Sequence, residues 1–298
     1  MPAGGMLLVD KPAGITSHDV VSRARKARNT RKIGHAGTLD PMATGLLVLG
    51  VDAATRLLTF IVGADKTYTA TLALGATTDT DDADGEIVER AAPERVDAVD
   101  DALIDAGIAA LTGEISQVPT TVSAIKVNGR RAYDLARAGV EVQLASRDVV
   151  VSRFEVVERR RVNGMIELDV TVDVSSGTYV RALARDLGEA LGIGGHLTAL
   201  RRTRIGPFSV TDAVTLDGLA AAPLLSPAEV GTIVLGALHV TEVEAADLRE
   251  GRRLLGAATR LATPRAAAID PDGVMIGVVE RRGNDVKSVM NLPTGAAA

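Results

Sequence analysis

The chain has 298 residues, of which 46% are hydrophobic and 24% charged, with a formal net charge of −5 and no cysteine. Such a composition does not make disorder the default reading, and the missing cysteine excludes disulfides, thiolate metal sites and a cysteine nucleophile. The first ten residues lack a basic region ahead of an apolar run, and no stretch reaches the roughly 18 uninterrupted apolar residues of a membrane helix, so a cytoplasmic protein with no membrane partner is expected.

Leu7, Leu8 and Val9 predict a short strand that stops at Lys11-Pro12-Ala13-Gly14. Ser17 is the predicted N-cap of a helix running to about Ala27. Gly34 to Thr44 is a loop rich in Gly, Thr and Pro; Leu46 to Val51 is a buried strand, and Ala53 to Val62 a helix closed by Gly63. Tyr68, Ala70, Leu72 and Leu74 alternate with threonines as in a half-buried strand. Val96, Val99, Leu103, Ile104, Ile108 and Leu111 have helical spacing. Asn128-Gly129 and Asn163-Gly164 are hairpin turns, and Ile166 to Val174 alternates strictly after the second. Thr178 to Leu191 reads as a helix ended by Gly192, and Leu197 to Arg204 as a strand. From about Leu238 to Leu292 the texture is of short strands, with turns at Gly251, Pro271-Asp272-Gly273 and Arg282-Gly283-Asn284. Long hairpins mixed irregularly with helices predict an α+β fold with a mixed, mainly antiparallel central sheet. The expected division is a large domain over 1–230 and a small β-rich domain over 231–298.

A net negative charge argues against a nucleic-acid partner, because Lys and Arg drive phosphate binding. The distribution argues otherwise. From Val20 to Leu39 there is no acid and there are six bases: Arg23, Arg25, Lys26, Arg28, Arg31 and Lys32. Arg201, Arg202 and Arg204 cluster again, while Asp79, Asp81, Asp82, Asp84 and Glu86 gather the acids elsewhere. Either run also fits a plain solvated face.

The four histidines, His18, His35, His196 and His239, have no zinc spacing, and no phosphate-binding glycine loop is present, so cofactor-free chemistry without a metal is expected. Asp40 is the only acid between Asp19 and Asp52. An Asp before Pro is usually a turn residue, but a carboxylate in a basic, partly enclosed loop stays ionised and can attack as a nucleophile. The chain has three tyrosines and no tryptophan. Each of Tyr68, Tyr133 and Tyr179 fits a core position, and each is equally a platform on which a flipped base can stack. Arg181 fits either a solvent-facing helical position or a two-bond partner for Asp40.

Two runs, Lys11-Pro12-Ala13-Gly14-Ile15-Thr16-Ser17 and Lys32-Ile33-Gly34-His35-Ala36-Gly37-Thr38-Leu39-Asp40-Pro41-Met42-Ala43-Thr44-Gly45, resemble the N-terminal signature of the TruB family of tRNA pseudouridine synthases. The likeness continues in order through Lys66-Thr67-Tyr68, Thr78-Asp79-Thr80-Asp81 with Gly85, Ser123-Ala124-Ile125-Lys126 with Gly129 and Tyr133, Ser176 to Arg181, and Leu200-Arg201-Arg202-Thr203. The resemblance implies a pseudouridine synthase fold with a PUA-like C-terminal domain. It implies Asp40 as the nucleophile, Arg181 as its ion-pair partner and Tyr68 stacked on the target base. It further implies that Tyr179 and Leu200 complete the pocket, that His35 occupies space near the flipped nucleotides and helps keep the T loop open, and that Lys11 supports the active-site loop. Lys126 lies in an RNA-clasping insertion of about 115–147. The implied substrate is the uridine at position 55 in the T arm stem-loop of tRNA, taken without cofactor or obligatory guide RNA by a monomer. An RNA-binding or RNA-folding module without chemistry, and a guide-dependent synthase, are the alternatives.

Overall fold

The computed structural model describes residues 4–120, 126–127, 130–131 and 144–293. They form two units, Met1–Ala64 with Arg204–Ala298, and Asp65–Thr203.

In the first unit, strand Met6–Lys11 pairs antiparallel with Thr44–Val51 from Met6↔Gly50 to Lys11↔Gly45, and a short strand, Ile33–His35, lies along the other edge of Thr44–Val51. All but one residue of Thr44–Val51 are buried, as the apolar run predicts. Helix Ser17–Ala27 covers the sheet with Val20, Val21 and Ala24. Its N-cap is Thr16, one residue before the predicted Ser17. Thr16 and Asp19 close a reciprocal capping box, and the Ser17 hydroxyl goes elsewhere. The predicted helix Ala53–Val62 is a 3₁₀ segment, Asp52–Leu57, followed by one α-turn, Leu58–Ile61.

Toward the C-terminus, a four-stranded sheet runs Ala237–His239, Arg265–Ile269, Met275–Arg282, Asp285–Asn291. Gly251, Gly273 and Gly283 take positive φ at the predicted turns. Helices Pro227–Leu235 and Glu242–Arg249, absent from the sequence reading, each begin with a capping box. Val230, Ala267, Ile269, Met275 and Leu292 share one core with Met6, Leu8, Leu46 and Val48. The tail therefore joins the N-terminal strands in a common core.

In the second unit, Lys66–Leu74 pairs with Met165–Val174, which pairs with the 16-residue strand Arg147–Val162. Asn163 and Gly164 both take positive φ between the last two, as an Asn-Gly hairpin turn requires. Along Met165–Val174 every second residue is buried. Threonines on Lys66–Leu74 meet aspartates across the pair: Thr71 Oγ1 donates to Asp169 at 2.7 Å, and Thr67 bonds Asp173 likewise. Gly113–Gln117 pairs with the first residues of Arg147–Val162. The predicted helix around Val96–Leu111 is two helices, Pro93–Asp97 and Asp101–Ala110. Helix Val180–Ala190 buries Arg181, Ala182, Leu183, Ala184, Leu187 and Gly188, and Gly192 ends it at φ 69°. Strand Gly195–Ile205 follows. No helix among the described residues is long and apolar enough to cross a membrane.

Candidate active site

The predicted site residues fall in both units. Asp40, His35 and Lys11 are in the first; Tyr68, Tyr179, Arg181 and Leu200 are in the second.

Asp40 is half-buried at the end of a loop that leaves the His35 strand and returns as the Thr44 strand. Several bonds tie down the backbone around it. Lys11 is fully buried, and its ammonium donates to the carbonyls of Pro12 at 2.9 Å, Ile15 at 2.7 Å and Pro41 at 3.2 Å. Three carbonyl dipoles thus neutralise a buried cation, and the last belongs to the residue after Asp40. The Ser17 hydroxyl, released from capping, accepts from the Leu39 N–H at 2.8 Å and donates to the Leu39 carbonyl at 3.1 Å. Gly14 N–H also reaches the Pro41 carbonyl at 2.9 Å. Backbone on both sides of Asp40 is therefore held by side chains from the first helix and the first strand. Gly37, at φ 92°, supplies the left-handed turn that leads in. His35 and Asp40 are each partly exposed and have neighbours of their own.

In the second unit Arg181 is 3% exposed, so the solvent-facing alternative is excluded. Its guanidinium pairs with Asp82 at 3.0 Å and donates to the Thr80 carbonyl at 2.8 Å. Asp82 is equally buried; its carboxylate also accepts from Thr80 Oγ1 at 2.6 Å and Asp84 N–H at 3.1 Å. The acid-rich run is thus a folded counter-charge for this helix. Arg185, one turn after Arg181, pairs with Asp81 at 3.1 Å and Asp186 at 2.8 Å. Burial raises the carboxyl pKa of both aspartates, against the pull of Arg185. Neither Asp82 nor Arg185 was singled out from sequence. The ion pairs Asp82–Arg181 and Asp81–Arg185 each join residues about a hundred positions apart, so no local spacing signals them.

Tyr68 is 7% exposed on Lys66–Leu74, opposite Val172. Lys66, on the same face two residues earlier, is buried, and burial, with Arg202 nearby, lowers its ammonium pKa to about 8. Leu200 is buried on Gly195–Ile205. Tyr179 is half-buried at the N-cap of Val180–Ala190. Gln117, also missed, holds the Tyr179 backbone by two bonds. The Lys126 side chain, Tyr133 and most of the predicted 115–147 insertion lie outside the described residues; two-residue strands Lys126–Val127 and Arg130–Arg131 pair around the predicted Asn128-Gly129 turn.

Three family models tile the chain. Residues 25–180 match the N-terminal domain of TruB family pseudouridylate synthases, 181–235 a tRNA pseudouridylate synthase B C-terminal domain, and 235–293 the C-terminal domain of tRNA pseudouridine synthase II. A Leifsonia xyli protein named tRNA pseudouridine synthase B is 53% identical over 100% of this chain and 99% of its own length. A Nocardia farcinica protein of the same name is 54% identical, covering 97% of this chain and 93% of its own. Among solved structures, an H/ACA ribonucleoprotein bound to a substrate RNA containing 2'-deoxyuridine aligns with TM-score 0.70 at 22% identity, over 99% of this chain and 87% of its own. An archaeal box H/ACA Nop10–Cbf5 complex aligns at TM-score 0.69 and 22% identity, over 98% and 87%. The fold is theirs, and on the family models and the full-length relatives the chain belongs to the TruB family of pseudouridylate synthases, which isomerise uridine to pseudouridine in tRNA.

Proposed function

We propose that the chain performs this isomerisation on uridine 55 in the T loop of tRNA, with Asp40 as the nucleophile and no cofactor. The observation that carries the assignment is the setting of Asp40. It is the sole acid between Asp19 and Asp52, in a loop tied on both sides by Lys11 and Ser17. A carboxylate so placed can attack a substrate carbon without first losing a proton.

In this reading the uridine leaves its stack and enters a pocket where Tyr68 stacks on the base and Tyr179 and Leu200 enclose it. Asp40 attacks, the bond between N1 and ribose C1′ breaks, and uracil turns. As a bond from C5 to C1′ forms, the bond Asp40 made to C1′ breaks and frees its carboxylate; C5 loses its proton and N1 gains one, so atoms and charge balance with nothing oxidised or reduced. Arg181 is the ion-pair partner that keeps Asp40 ionised and oriented. His35 supports the flipped nucleotides, Lys11 braces the loop, and Lys126 with the insertion of about 115–147 clasps the T arm. Residues 1–230 form the catalytic domain and 231–298 a PUA-like domain. The protein acts as a cytoplasmic monomer and takes the T arm directly, without a guide RNA.

The test is release of tritium from C5-labelled uridine in a T-arm stem-loop, with purified protein and no other RNA. Release matching pseudouridine formation is the expected result. Release that begins only when a second, complementary RNA is added would identify a guide-dependent enzyme.

A further inference from the structure

We propose that Gln117 is a positioning residue for Tyr179, fixing the backbone from which that ring projects at the start of helix Val180–Ala190. The inference rests on reading Tyr179 as part of the uridine pocket.

Gln117 ends strand Gly113–Gln117 and is 1% exposed. Its carboxamide meets the backbone of one residue twice, on the peptide units either side of its Cα: the Tyr179 N–H donates to Gln117 Oε1 at 2.8 Å, and Gln117 Nε2 donates to the Tyr179 carbonyl at 3.1 Å. One bond would leave that backbone free to pivot; two fix its position and its rotation.

The helix start makes the need plain. Residue 179 is the N-cap, where Ser, Thr, Asp or Asn normally bonds the first turn with its own side chain. Here the position carries an aromatic ring, and no side-chain cap bond is made. A remote side chain anchors the N-cap backbone instead, leaving residue 179 free to present a ring. A second bond from the same helix, Arg185 Nη2 to the Val118 carbonyl at 2.7 Å, holds the strand end beside it. Arg185 is itself anchored by Asp81. Arg181, two residues after Tyr179, starts from the same fixed point.

Gln117→Glu is the test variant. A protonated carboxyl has the outline of the carboxamide, with an oxygen that accepts from the Tyr179 N–H and a hydroxyl that donates to its carbonyl. The ionised form can only accept, and opposes that carbonyl. Burial raises the carboxyl pKa, so raising the pH across the range in which the protein stays folded converts the protonated form to the ionised one. Protein labelled with 3-fluorotyrosine gives one fluorine line per tyrosine, three in all, and Tyr179→Phe identifies the relevant one.

The expected result is a single-turnover rate on the T-arm stem-loop that falls about tenfold relative to wild type as pH rises through that range, with KM little changed. The Tyr179 line moves along the same curve while the Tyr68 line stays in place. A Gln117→Glu rate that runs parallel to wild type, or a falling rate with an unmoved Tyr179 line, overturns the proposal. If Gln117→Glu does not fold, a cycle of Gln117→Ala and Tyr179→Ala decides. A loss that vanishes in the Tyr179→Ala background supports positioning, and an equal loss in both backgrounds overturns it. Wild-type protein that forms no pseudouridine, while its Tyr179 line still responds to Gln117→Glu, removes the premise of a uridine pocket and leaves the backbone link intact, so the two failures are distinct.

Discussion

Asp82 and Arg181 bury opposite charges side by side at 3.0 Å, and neither side chain is more than 5% exposed. A buried cation whose partner is removed costs about 3–5 kcal/mol, far more than an exposed pair contributes. Asp82→Asn keeps the shape and the acceptor for Thr80 but removes one countercharge of Arg181. We expect a loss of stability of up to that size in urea unfolding, and a reduced kcat with little change in KM, because Arg181 is misplaced rather than absent. An unaltered kcat would detach Asp82 from the reaction. Lys66 gives a pH signature. Below about pH 8 its ammonium is charged in both folded and unfolded chains, and its burial counts fully against the fold. Between about 8 and the ordinary 10.5 the folded chain loses the proton first, so stability rises with pH. Lys66→Met should abolish that rise in urea midpoints measured across the range; parallel curves contradict it. At this scale the sequence exposed Asp40, because an acid isolated among bases is a local feature. It did not expose Asp82, whose run of neighbouring acids looks like any solvated acidic stretch until Arg181 is folded against it.

The helix Val180–Ala190 is the element on which the candidate site residues of the second unit depend. It carries Arg181 and Arg185, follows Tyr179, and approaches the start of the next strand so closely that a methyl group on Gly188 would lie 2.2 Å from the Gly194 and Gly195 backbone. Gly188→Ala must push helix and strand apart. Overpacking of this kind costs about 1–3 kcal/mol, and here it should also lower the rate several-fold, measured by melting and single-turnover assays; unchanged values in both would refute the close packing. In the first unit, Thr16 performs the capping expected of Ser17, and Ser17 instead holds the Leu39 backbone. Thr16→Ala removes a cap worth about 1 kcal/mol and should spare the rate. Ser17→Ala leaves the buried Leu39 N–H without its partner, costs about 1–3 kcal/mol, and should slow the reaction by loosening the Asp40 loop. Equal effects of the two variants on rate would undo that division. Strands and hairpins were readable because their alternation is local: Ile166 to Val174 and the Asn163-Gly164 turn appear as expected. The choice between Thr16 and Ser17 was not, because Ser17 is recruited by Leu39, 22 residues away.

Across the whole molecule, Asp40 belongs to one unit and Arg181 and Tyr68 to the other. The ordered motifs made the family readable, because each lies within a few residues of chain. The common core of the tail and the N-terminal strands was hidden, since it joins residues more than two hundred positions apart. The charge distribution predicts how the protein meets RNA despite a net charge of −5. Arg23, Lys26, Arg31 and Lys32 are exposed in a stretch free of acids, so tRNA affinity should fall steeply with salt, a dependence that alone fits binding with or without catalysis. The most direct test of the central claim is tritium release from a C5-labelled T-arm stem-loop by Asp40→Asn, with tRNA binding measured on the same protein. The account predicts binding close to wild type and no detectable release; release at a near-normal rate would contradict Asp40 as the nucleophile.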